Sequence, residues 1–471
     1  MQILVLESST SSAKAMLYND IKGISETITE QYDPQCGDIR IQDPERVFLR
    51  TIEAGKKIIG NKDIDMIAIS GTWHSIFACD KDFKPVTKSY TWAHTEASYI
   101  AQELRKDIDF TKRFYNTTGC MVNAIYPVFK LMNLQNQGLN LTDYIFMGQG
   151  TYNYHRLTGE FLLSESMASG SGLLDIHTKE LSQEVLELLG IRKKQLGRIT
   201  SYRELRPLSK EGANLLGIKS GIPVITAHPD GALNQIGAGA LNDGVMTLSI
   251  GTSAALRIST SKPIIPVTPS TWCYLSPVSW LSGAATSGAC NCVDWIKNKF
   301  FSSSTTYKEI EEQKIDMKSI PIFLPFLYGE RCPGWNDARK ASFYDVNSEH
   351  SNLELYFSTL EGVIFNLYQC YEVLCKTDIE PDKIKLSGGI LNSKIWTQMC
   401  CDILGREMEC SKEKQMSLMG GVALALELGG ALKNLDQFNG KDSVVIYPNR
   451  ERYKGYKKRY ERYKEIYNYN L

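Results

Sequence analysis

The sequence lacks any excess of charge of one sign. Its 471 residues include 53 basic and 53 acidic side chains, so the formal net charge is zero. This balance gives no electrostatic reason to expect nucleic acid or an anionic membrane as a partner. No apolar run reaches the roughly 18 residues typical of a membrane-spanning helix. The composition therefore favours a small-molecule partner, without nucleic acid and without a membrane.

The N-terminus lacks the features of an export signal. Met1, Gln2 and Ile3 lead directly into an apolar strand pattern, without a basic start or a small-residue cleavage site. The twelve cysteines are scattered, and none has the two-residue spacing with nearby histidines that zinc sites show. We therefore expect a cytoplasmic protein whose thiols are reduced and mostly buried.

The chain also lacks a low-complexity linker, although its length exceeds what one hydrophobic core usually organises. Two domains of about 200 residues each are the default expectation. We place the crossing between them near residues 238–246, which predicts one domain over 1–242 and a second over 243–471. The sequence leaves open whether the protein forms a homodimer.

One unusual unit occurs twice. The apolar run 3–6 is followed by a polar turn, 7–12, and a second strand, 13–18. About 240 residues later, strand 245–250 meets Gly251-Thr252-Ser253 and the chain returns through 254–258. The repetition predicts a duplication in which each half opens with a hairpin. Backbone N–H groups in such Gly/Ser/Thr turns converge and suit phosphate oxygens.

Between and after the hairpins the pattern is α/β. Residues 64–70 and 223–227 are predicted buried strands, and 352–376 is a predicted core helix. Strand 384–386 enters Ser387-Gly388-Gly389, and a helix is predicted from Asn392 to Leu404. The two glycines allow a ligand to lie against the backbone, and the helix N-terminus favours a phosphate or a ribose hydroxyl.

The C-terminal segment carries an aromatic stripe among basic residues: Tyr453, Tyr456, Tyr460, Tyr463 and Tyr467. The three- and four-residue spacing predicts a helix that packs its tyrosines on the second domain and turns its charges to water. An RNA-binding tail is the alternative interpretation.

The candidate catalytic base is Asp230. It follows His228 and Pro229 at the end of a predicted strand, shortly before the second hairpin, where an acid would face both an acceptor and a γ-phosphate. Phosphoryl transfer needs a carboxylate to accept the proton of the attacking hydroxyl, and donors that hold the phosphates in line. Taken alone, Asp-Gly is more often an ordinary turn.

Several segments, which follow one another in the order typical of the family, resemble the FGGY carbohydrate kinases. Within that family the chain most resembles the bacterial gluconate kinases. The segments are 157–160 (LTGE), 167–175 (MASGSGLLD), 230–232 (DGA), 249–253 (SIGTS), 329–336 (GERCPGWN), 360–363 (LEGV) and 387–396 (SGGILNSKIW). The resemblance implies two ribonuclease H-like domains, as in actin and hexokinase, with ATP and Mg²⁺ bound in the interdomain cleft, mainly by the second domain.

The resemblance also implies residue roles. Asp230 would be the general base and would contact the acceptor together with Trp73, His74, Trp92 and Asn123. The ATP-binding residues would be Thr10, Ser11, Lys14, Gly251, Thr252, Gly388, Gly389 and Asn392. Glu7 would meet the metal through water.

Several positions depart from the family pattern, among them Asn123 and Ala124, which replace a His-Pro pair of the gluconate kinases. Glu7 and Ser9 stand where the family has Asp and Gly in its first turn, and His94 and Glu96 stand where Asp and Arg are common. If that Arg helps to hold a carboxylate, Glu96 argues against an acid substrate. We expect a sugar or sugar-acid kinase, with gluconate ahead of xylulose, another ketopentose or a polyol. The alternative is a catalytically impaired nucleotide- or sugar-binding regulator. A peptide-binding chaperone of the same superfold is a weaker alternative.

Overall fold

The computed structural model describes residues 1–242, 244–377, 380–411, 413, 415–438 and 443–469, without the side chain of Ser25. The strands up to residue 229 are β1 (Gln2–Ser8), β2 (Ser12–Asn19), β3 (Gly23–Gln31), β4 (Ile41–Gln42), β5 (Met66–Gly71), β6 (Phe77–Cys79), β7 (Ser89–Tyr90), β8 (Ile145–Met147), β9 (Leu162–Ser164), β10 (Leu174–Asp175), β11 (Glu180–Leu181), β12 (Arg198–Thr200), β13 (Leu205–Pro207), β14 (Pro223–Ile225) and β15 (His228–Pro229). The helices of this half are α1 (Pro44–Ile59), α2 (Ser98–Arg105), α3 (Ile108–Thr118), α4 (Pro127–Asn136), α5 (Gln149–Thr158), α6 (Glu165–Ser169), α7 (Gln183–Leu189), α8 (Lys210–Leu216) and α9 (Asp230–Gly237).

The second half follows the same α/β pattern. Its strands are β16 (Val245–Ile250), β17 (Ala254–Thr260), β18 (Trp272–Leu275), β19 (Trp280–Thr286), β20 (Ile322–Leu324), β21 (Ser342–Tyr344), β22 (Lys383–Ser387), β23 (Met408–Ser411) and β24 (Ser443–Ile446). Its helices are α10 (Cys290–Phe300), α11 (Tyr307–Glu311), α12 (Asn352–Cys375), α13 (Lys394–Leu404), α14 (Met416–Leu428) and α15 (Arg450–Tyr469).

The two halves repeat one sheet. In the described residues the first sheet has the order β13-β14-β5-β1-β2-β3, and the second has β24-β23-β22-β16-β17-β19 with β18 added at its edge. The directions also correspond, because β1 and β16 are each antiparallel to the next strand of their hairpin and parallel to β5 and β22. The predicted hairpins and the two-domain, ribonuclease H-like α/β fold are therefore confirmed.

The predicted elements have small boundary differences. The predicted core helix 352–376 is confirmed as α12. The helix after the glycine turn begins at Lys394 rather than Asn392, because the Ser393 hydroxyl accepts the Trp396 N–H at 3.0 Å and forms the N-cap. Asn392 instead ends a short 3₁₀ turn, Gly389–Asn392.

One helix of the second half packs on the sheet of the first half. Leu418 and Val422 of α14 are buried against Ile3, Val5 and Ala68. A Cβ on Gly421 would lie 2.8 Å from Val5 Cγ1, so the helix backbone approaches β1 closely. The predicted division between residues 242 and 243 stays a prediction, but the core of the first sheet includes α14.

Glycines set the crossing of α14 over α9. A Cβ on Gly420 would collide with the Leu233 carbonyl oxygen, and one on Gly237 would collide with the Met416 carbonyl oxygen. Both contacts join backbone to backbone, so no side-chain rotation would relieve them. Small residues at both helices therefore allow the close crossing where the chain passes from one domain to the other.

The aromatic stripe of α15 packs on the second domain as predicted. The rings of Tyr460 and Tyr463 each lie 5.5 Å from that of Phe365, and Tyr467 is buried. Tyr453 and Tyr456 are partly exposed. The packing interpretation is therefore confirmed at its three C-terminal members.

All twelve cysteines lie in described residues and are free thiols, and most are buried. In the described part of the chain, no helix is both long enough and apolar enough to span a membrane. The cytoplasmic location and the homodimer stay predictions.

The α15 helix is also held by a buried ion pair that provides a stability test. Arg459 donates to both Glu361 oxygens, at 2.7 and 2.6 Å, and Glu361 is 1% exposed. Replacing Arg459 by alanine leaves that carboxylate unpaired, so we expect the free energy of unfolding to fall by about 3 kcal/mol in urea titrations. Arg462→Ala is the control, because Arg462 and Asp345 are both about half exposed, and we expect a loss within about 0.5 kcal/mol. Equal losses of unfolding free energy in the two variants would contradict a stabilising role for the buried ion pair.

Candidate active site

The two hairpin turns face the cleft with free backbone donors. In the first turn the Ser9 amide donates to the Ser12 carbonyl at 3.0 Å, and in the second the Gly251 amide donates to the Ser253 carbonyl at 2.9 Å. The next two amides of each turn have no acceptor among the described residues: Thr10 and Ser11 in the first, Thr252 and Ser253 in the second. These donors fit the oxygens of a polyphosphate.

The N-terminus of α10 supports the second turn from behind. The Cys290 amide donates to the Gly251 carbonyl at 2.9 Å, and the Asn291 amide donates to the Thr252 carbonyl at 3.4 Å. Because the turn carbonyls are bound on that side, the free amides of the turn remain available to a ligand on the other side.

The glycine turn after β22 lies beside the second hairpin. Gly388 has a φ of 99°, and a Cβ there would collide with the Ile250 carbonyl oxygen. Gly388, Gly389 and Asn392 are exposed. These three positions form an exposed surface with few side chains next to Gly251. Such a surface suits the flat face of a nucleoside.

Three neighbouring strands of the first sheet end together at the cleft. The parallel register places Glu7 opposite Ser70, and Ser70 opposite His228. Asp230 follows two residues later as the first residue of α9. The register therefore brings the carboxylates of Glu7 and Asp230 to one edge of the sheet.

Asp230 has the electrostatics of a proton acceptor. Burial, followed by the negative charge of Glu7, raises the pKa of Asp230 to about 6, while Arg257 and Lys14 act in the opposite direction. The Gly231 amide also donates to Asp230 Oδ1 at 2.7 Å. A carboxylate with this pKa is ionised at neutral pH and is more basic than an ordinary aspartate.

Glu7 is fixed through both of its oxygens. Lys14 Nζ donates to Oε1 at 2.7 Å, and Ser70 Oγ donates to Oε2 at 2.8 Å. The side chain is 1% exposed, so its longer arm is accommodated by two specific partners. Ser9 is not among the described non-glycine residues with positive φ. The turn therefore does not require a glycine at that position.

Trp73 forms a platform that two glycines flank. Its Nε1 donates to the Ser166 carbonyl at 2.8 Å. A Cβ on Gly231 would lie 2.6 Å from Trp73 Cζ3, and a Cβ on Gly170 would lie 2.8 Å from its Nε1. Ser166 Oγ in turn bonds His228 Nδ1 at 2.7 Å. The segment containing α6 therefore positions the indole next to Asp230.

His74 is a strained and neutral neighbour of this platform. Its φ is 68°, and its Nδ1 lies 2.6 Å from the Gly170 carbonyl oxygen. Burial, with a contribution from Arg331, holds the pKa of His74 well below its usual range. Lys130, itself 1% exposed, donates to the His74 carbonyl at 2.7 Å and stabilises that backbone conformation.

Aromatic residues of the second domain pack against Trp73. The ring of Tyr274 lies 5.1 Å from that of Trp73, and Trp272 stacks on Tyr274 at 4.3 Å. The Tyr274 hydroxyl bonds that of Tyr126 at 2.8 Å, and the Leu275 amide donates to Ser169 Oγ at 2.9 Å. Strand β18 is thus bound to the first domain, and these contacts join residues of both halves.

The remaining predicted residues also lie at the cleft. Trp92 Nε1 donates to Thr10 Oγ1 at 3.0 Å, which places the indole against the first turn. Asn123 Nδ2 lies 3.4 Å from Asp337 Oδ1 of the second domain. Trp92 therefore contacts the first turn, and Asn123 lies near the second domain.

The fold also brings here several residues that were not predicted from the sequence: Arg257, Tyr274, Trp272, Lys130 and Arg331. Two of them had visible signals. Lys130 interrupts the otherwise apolar start of α4, and Arg331 lies in the quoted segment 329–336. Trp272 and Tyr274 have no local signal, because their role follows from packing across the domains.

The comparisons with known proteins identify the family of the chain. Residues 2–237 match the model of the FGGY family of carbohydrate kinases, N-terminal domain, and residues 246–427 match that of its C-terminal domain. The chain therefore belongs to the FGGY family of carbohydrate kinases. It is a phosphotransferase of the family's ATP-dependent type.

The individual relatives are distant in sequence and close in structure. A gluconokinase of Bacillus subtilis is 27% identical over 92% of this chain and 89% of its own length, and a xylulose kinase of Haemophilus influenzae is 27% identical over 84% and 83%. The crystal structure of a gluconate kinase from Lactobacillus acidophilus has a TM-score of 0.92 at 27% identity, covering 99% of this chain and 98% of its own.

The Trp73 platform gives a kinetic test. In Gly231→Ala the new methyl group would displace the indole, because its closest contact is 2.6 Å. A displacement near 1 Å can cost roughly a hundredfold in rate, so we expect kcat/KM for the acceptor sugar to fall at least about tenfold while the KM for ATP changes little. Gly455→Ala is the control, because nothing lies within 4 Å of a Cβ there, and steady-state kinetics should not change. A normal kcat/KM in Gly231→Ala would contradict the platform.

Proposed function

We propose that this protein transfers the γ-phosphoryl group of ATP to a hydroxyl of a small sugar or sugar acid, with Asp230 as the general base. Gluconate is the favoured acceptor, followed by xylulose, another ketopentose or a polyol. The observation that carries the proposal is the Asp230 carboxylate, with a pKa of about 6, beside the Trp73 platform and at the carboxyl end of the strands that lead to the first phosphate-type turn.

Each group of residues has a separate role in the proposed reaction. Trp73 and His74 place the acceptor hydroxyl at Asp230, and the Asp230 carboxylate takes its proton as the oxygen attacks phosphorus. The free amides of the two turns, with Gly251 and Thr252 in the second, hold the phosphate oxygens. Gly388, Gly389 and Asn392 border the nucleoside. The aromatic wall from the second domain excludes water, which would otherwise accept the phosphoryl group.

The carboxylates fit a magnesium ion that arrives with the nucleotide. No cluster of three or more ligand-type side chains occurs in the described residues, as expected for an ion held mainly by phosphates and water. Each Glu7 oxygen keeps a free lone pair after its bond to Lys14 or Ser70 and would accept from a metal-bound water. When bound, the ion would neutralise phosphate charge.

The impaired regulator is the weaker candidate. It was motivated by Glu7 and Ser9, but Glu7 has two specific partners and Ser9 lacks the positive φ that would require glycine. A base with a raised pKa beside the acceptor platform has no purpose in a pure sensor. Both observations support catalysis.

An acceptor screen tests the proposal. We expect ADP release from ATP and Mg²⁺ with one or more of gluconate, xylulose, ribulose, glycerol and erythritol, and a loss of kcat of roughly 10²- to 10⁴-fold in Asp230→Asn, which removes the base but keeps the shape. ATP binding, measured by calorimetry, should be unchanged. Nucleotide binding without turnover on any acceptor would favour the regulator.

The pH profile gives a second test. A protonated carboxyl cannot accept a proton, so kcat/KM for the acceptor should fall about tenfold per pH unit below the Asp230 pKa of about 6. Because the Glu7 charge raises that pKa, Glu7→Gln should move the acidic limb of the profile to lower pH, whatever its effect on the maximal rate. An acidic limb at unchanged pH in Glu7→Gln would exclude the electrostatic coupling between Glu7 and Asp230.

A further inference from the structure

The helix that begins with Asp230 is bound at its other end by the second domain. Asp230 is the first residue of α9. At the C-terminus of a helix the last carbonyls have no intrahelical donor. Here Lys385 Nζ of β22 donates to the Ala238 carbonyl at 2.6 Å, and Ser259 Oγ of β17 donates to the Ala240 carbonyl at 2.9 Å. Two strands of the second sheet therefore bind the C-terminal end of α9.

A side chain of α9 forms a third link to the same sheet. Gln235 is fully buried, and its Oε1 accepts the Thr247 hydroxyl of β16 at 2.6 Å. Its Nε2 donates to the Ala240 carbonyl at 2.8 Å. Both ends of the Gln235 amide thus have partners, and loss of the Thr247 hydroxyl would leave a buried oxygen without its hydrogen bond.

The strands that bind α9 lead to the nucleotide side of the cleft. Strand β16 runs from Thr247 towards the turn at Gly251, and β22 runs from Lys385 towards Gly388. Asp230 is separated from this end of α9 by about two helical turns, or about 12 Å along the helix axis. The helix therefore bridges the domains, with the carboxylate at one end and the strands of the phosphate-type turn and the glycine turn at the other.

The contact between the end of α9 and the second sheet contains a cavity as well as hydrogen bonds. The cavity has a volume of about 30 Å³, and Ala238, Thr247 and Lys385 are among its lining residues. Because no side chain fills this space, packing there opposes a shift of the helix end less than a close-packed contact would. The hydrogen bonds of Gln235 and Lys385 therefore contribute strongly to fixing the helix.

We propose that Gln235, Thr247 and Lys385 are positioning residues, which hold α9 so that the Asp230 carboxylate faces the phosphate-type turn of the second domain. This inference rests on the proposed role of Asp230 as the general base. All three residues lie towards the opposite end of the contact from Asp230, so their effect on the reaction would pass through the helix. A displacement of the base by about 1 Å can cost roughly a hundredfold in rate.

The variant Thr247→Val tests the link, because it keeps the shape of the side chain and removes its hydroxyl. We expect kcat for the acceptor to fall about tenfold, while the Kd for ATP, measured by calorimetry, stays unchanged. Thr247→Ser keeps the hydroxyl and should retain the wild-type kcat. Thr359→Val is the matched control, because Thr359 is also fully buried and donates to the Leu355 carbonyl of its own helix at 2.9 Å. This control should lose stability in urea titrations but keep the wild-type kcat.

The pH profile separates positioning from a loss of stability. Burial raises the pKa of Asp230 to about 6, and its charged neighbours are Glu7, Arg257 and Lys14. A helix released at its far end would expose the carboxylate more and lower that pKa, so the acidic limb of kcat/KM should move to lower pH in Thr247→Val. The three charged neighbours are the same in this variant. In Thr359→Val the limb should stay at the wild-type pH.

The remaining outcomes distinguish this inference from the proposed function. A wild-type kcat in Thr247→Val, together with the expected loss in Asp230→Asn, would overturn the positioning role and leave the kinase intact. A raised Kd for ATP with unchanged kcat would assign the link to nucleotide binding and would also overturn it. Absence of transfer by the wild type to every acceptor would sink the proposed function, and this inference with it. If Thr247→Val does not fold, Lys385→Met carries the test, because the Lys385 side chain is 19% exposed and its loss should lower kcat in the same way, with recovery in Lys385→Arg.

Discussion

The site depends on two carboxylates held close together in a buried cleft. Glu7 and Asp230 repel each other, and that repulsion contributes to the raised pKa of Asp230. The pair persists because Lys14 and Ser70 bind Glu7, while the Gly231 amide and Arg257 oppose the charge of Asp230. The register of the three strands that end there brings these groups together. The same arrangement raises the pKa of Asp230 and holds it next to Trp73, as the proposed role of general base requires.

The local parts of this design could be predicted from the sequence. The hairpins, the glycine turn and the helix over 352–376 have short-range signals in their apolar periodicity and turn residues, and the structure contains each of them. The position of Asp230 at a strand end could be predicted for the same reason. Its raised pKa could not, because the effect of Glu7 comes from a residue more than two hundred positions away.

The remaining features of the site depend on contacts between residues that are far apart in the sequence. Tyr274 and Trp272 reach the ring of Trp73 because β18 docks on α6, where the Leu275 amide donates to Ser169 Oγ. Arg331 lies in a recognisable motif, but the absence of an acceptor for its buried Nε among the described residues could be seen only with the neighbouring side chains in place. Glu7, the departure that motivated the impaired-regulator hypothesis, is bound by Lys14, its cross-strand partner in the first hairpin, and by Ser70 of β5, which only the fold brings next to it.

The return of α14 to the first sheet has a consequence for how the chain can be divided. Without residues 416–428, the face of the first sheet that carries Ile3, Val5 and Ala68 would be open to water. A fragment ending near residue 242 would expose that apolar face and would be expected to aggregate. The two halves share one sheet topology, but they are not separable modules: the first half acquires a complete core only after nearly the whole chain has been synthesised.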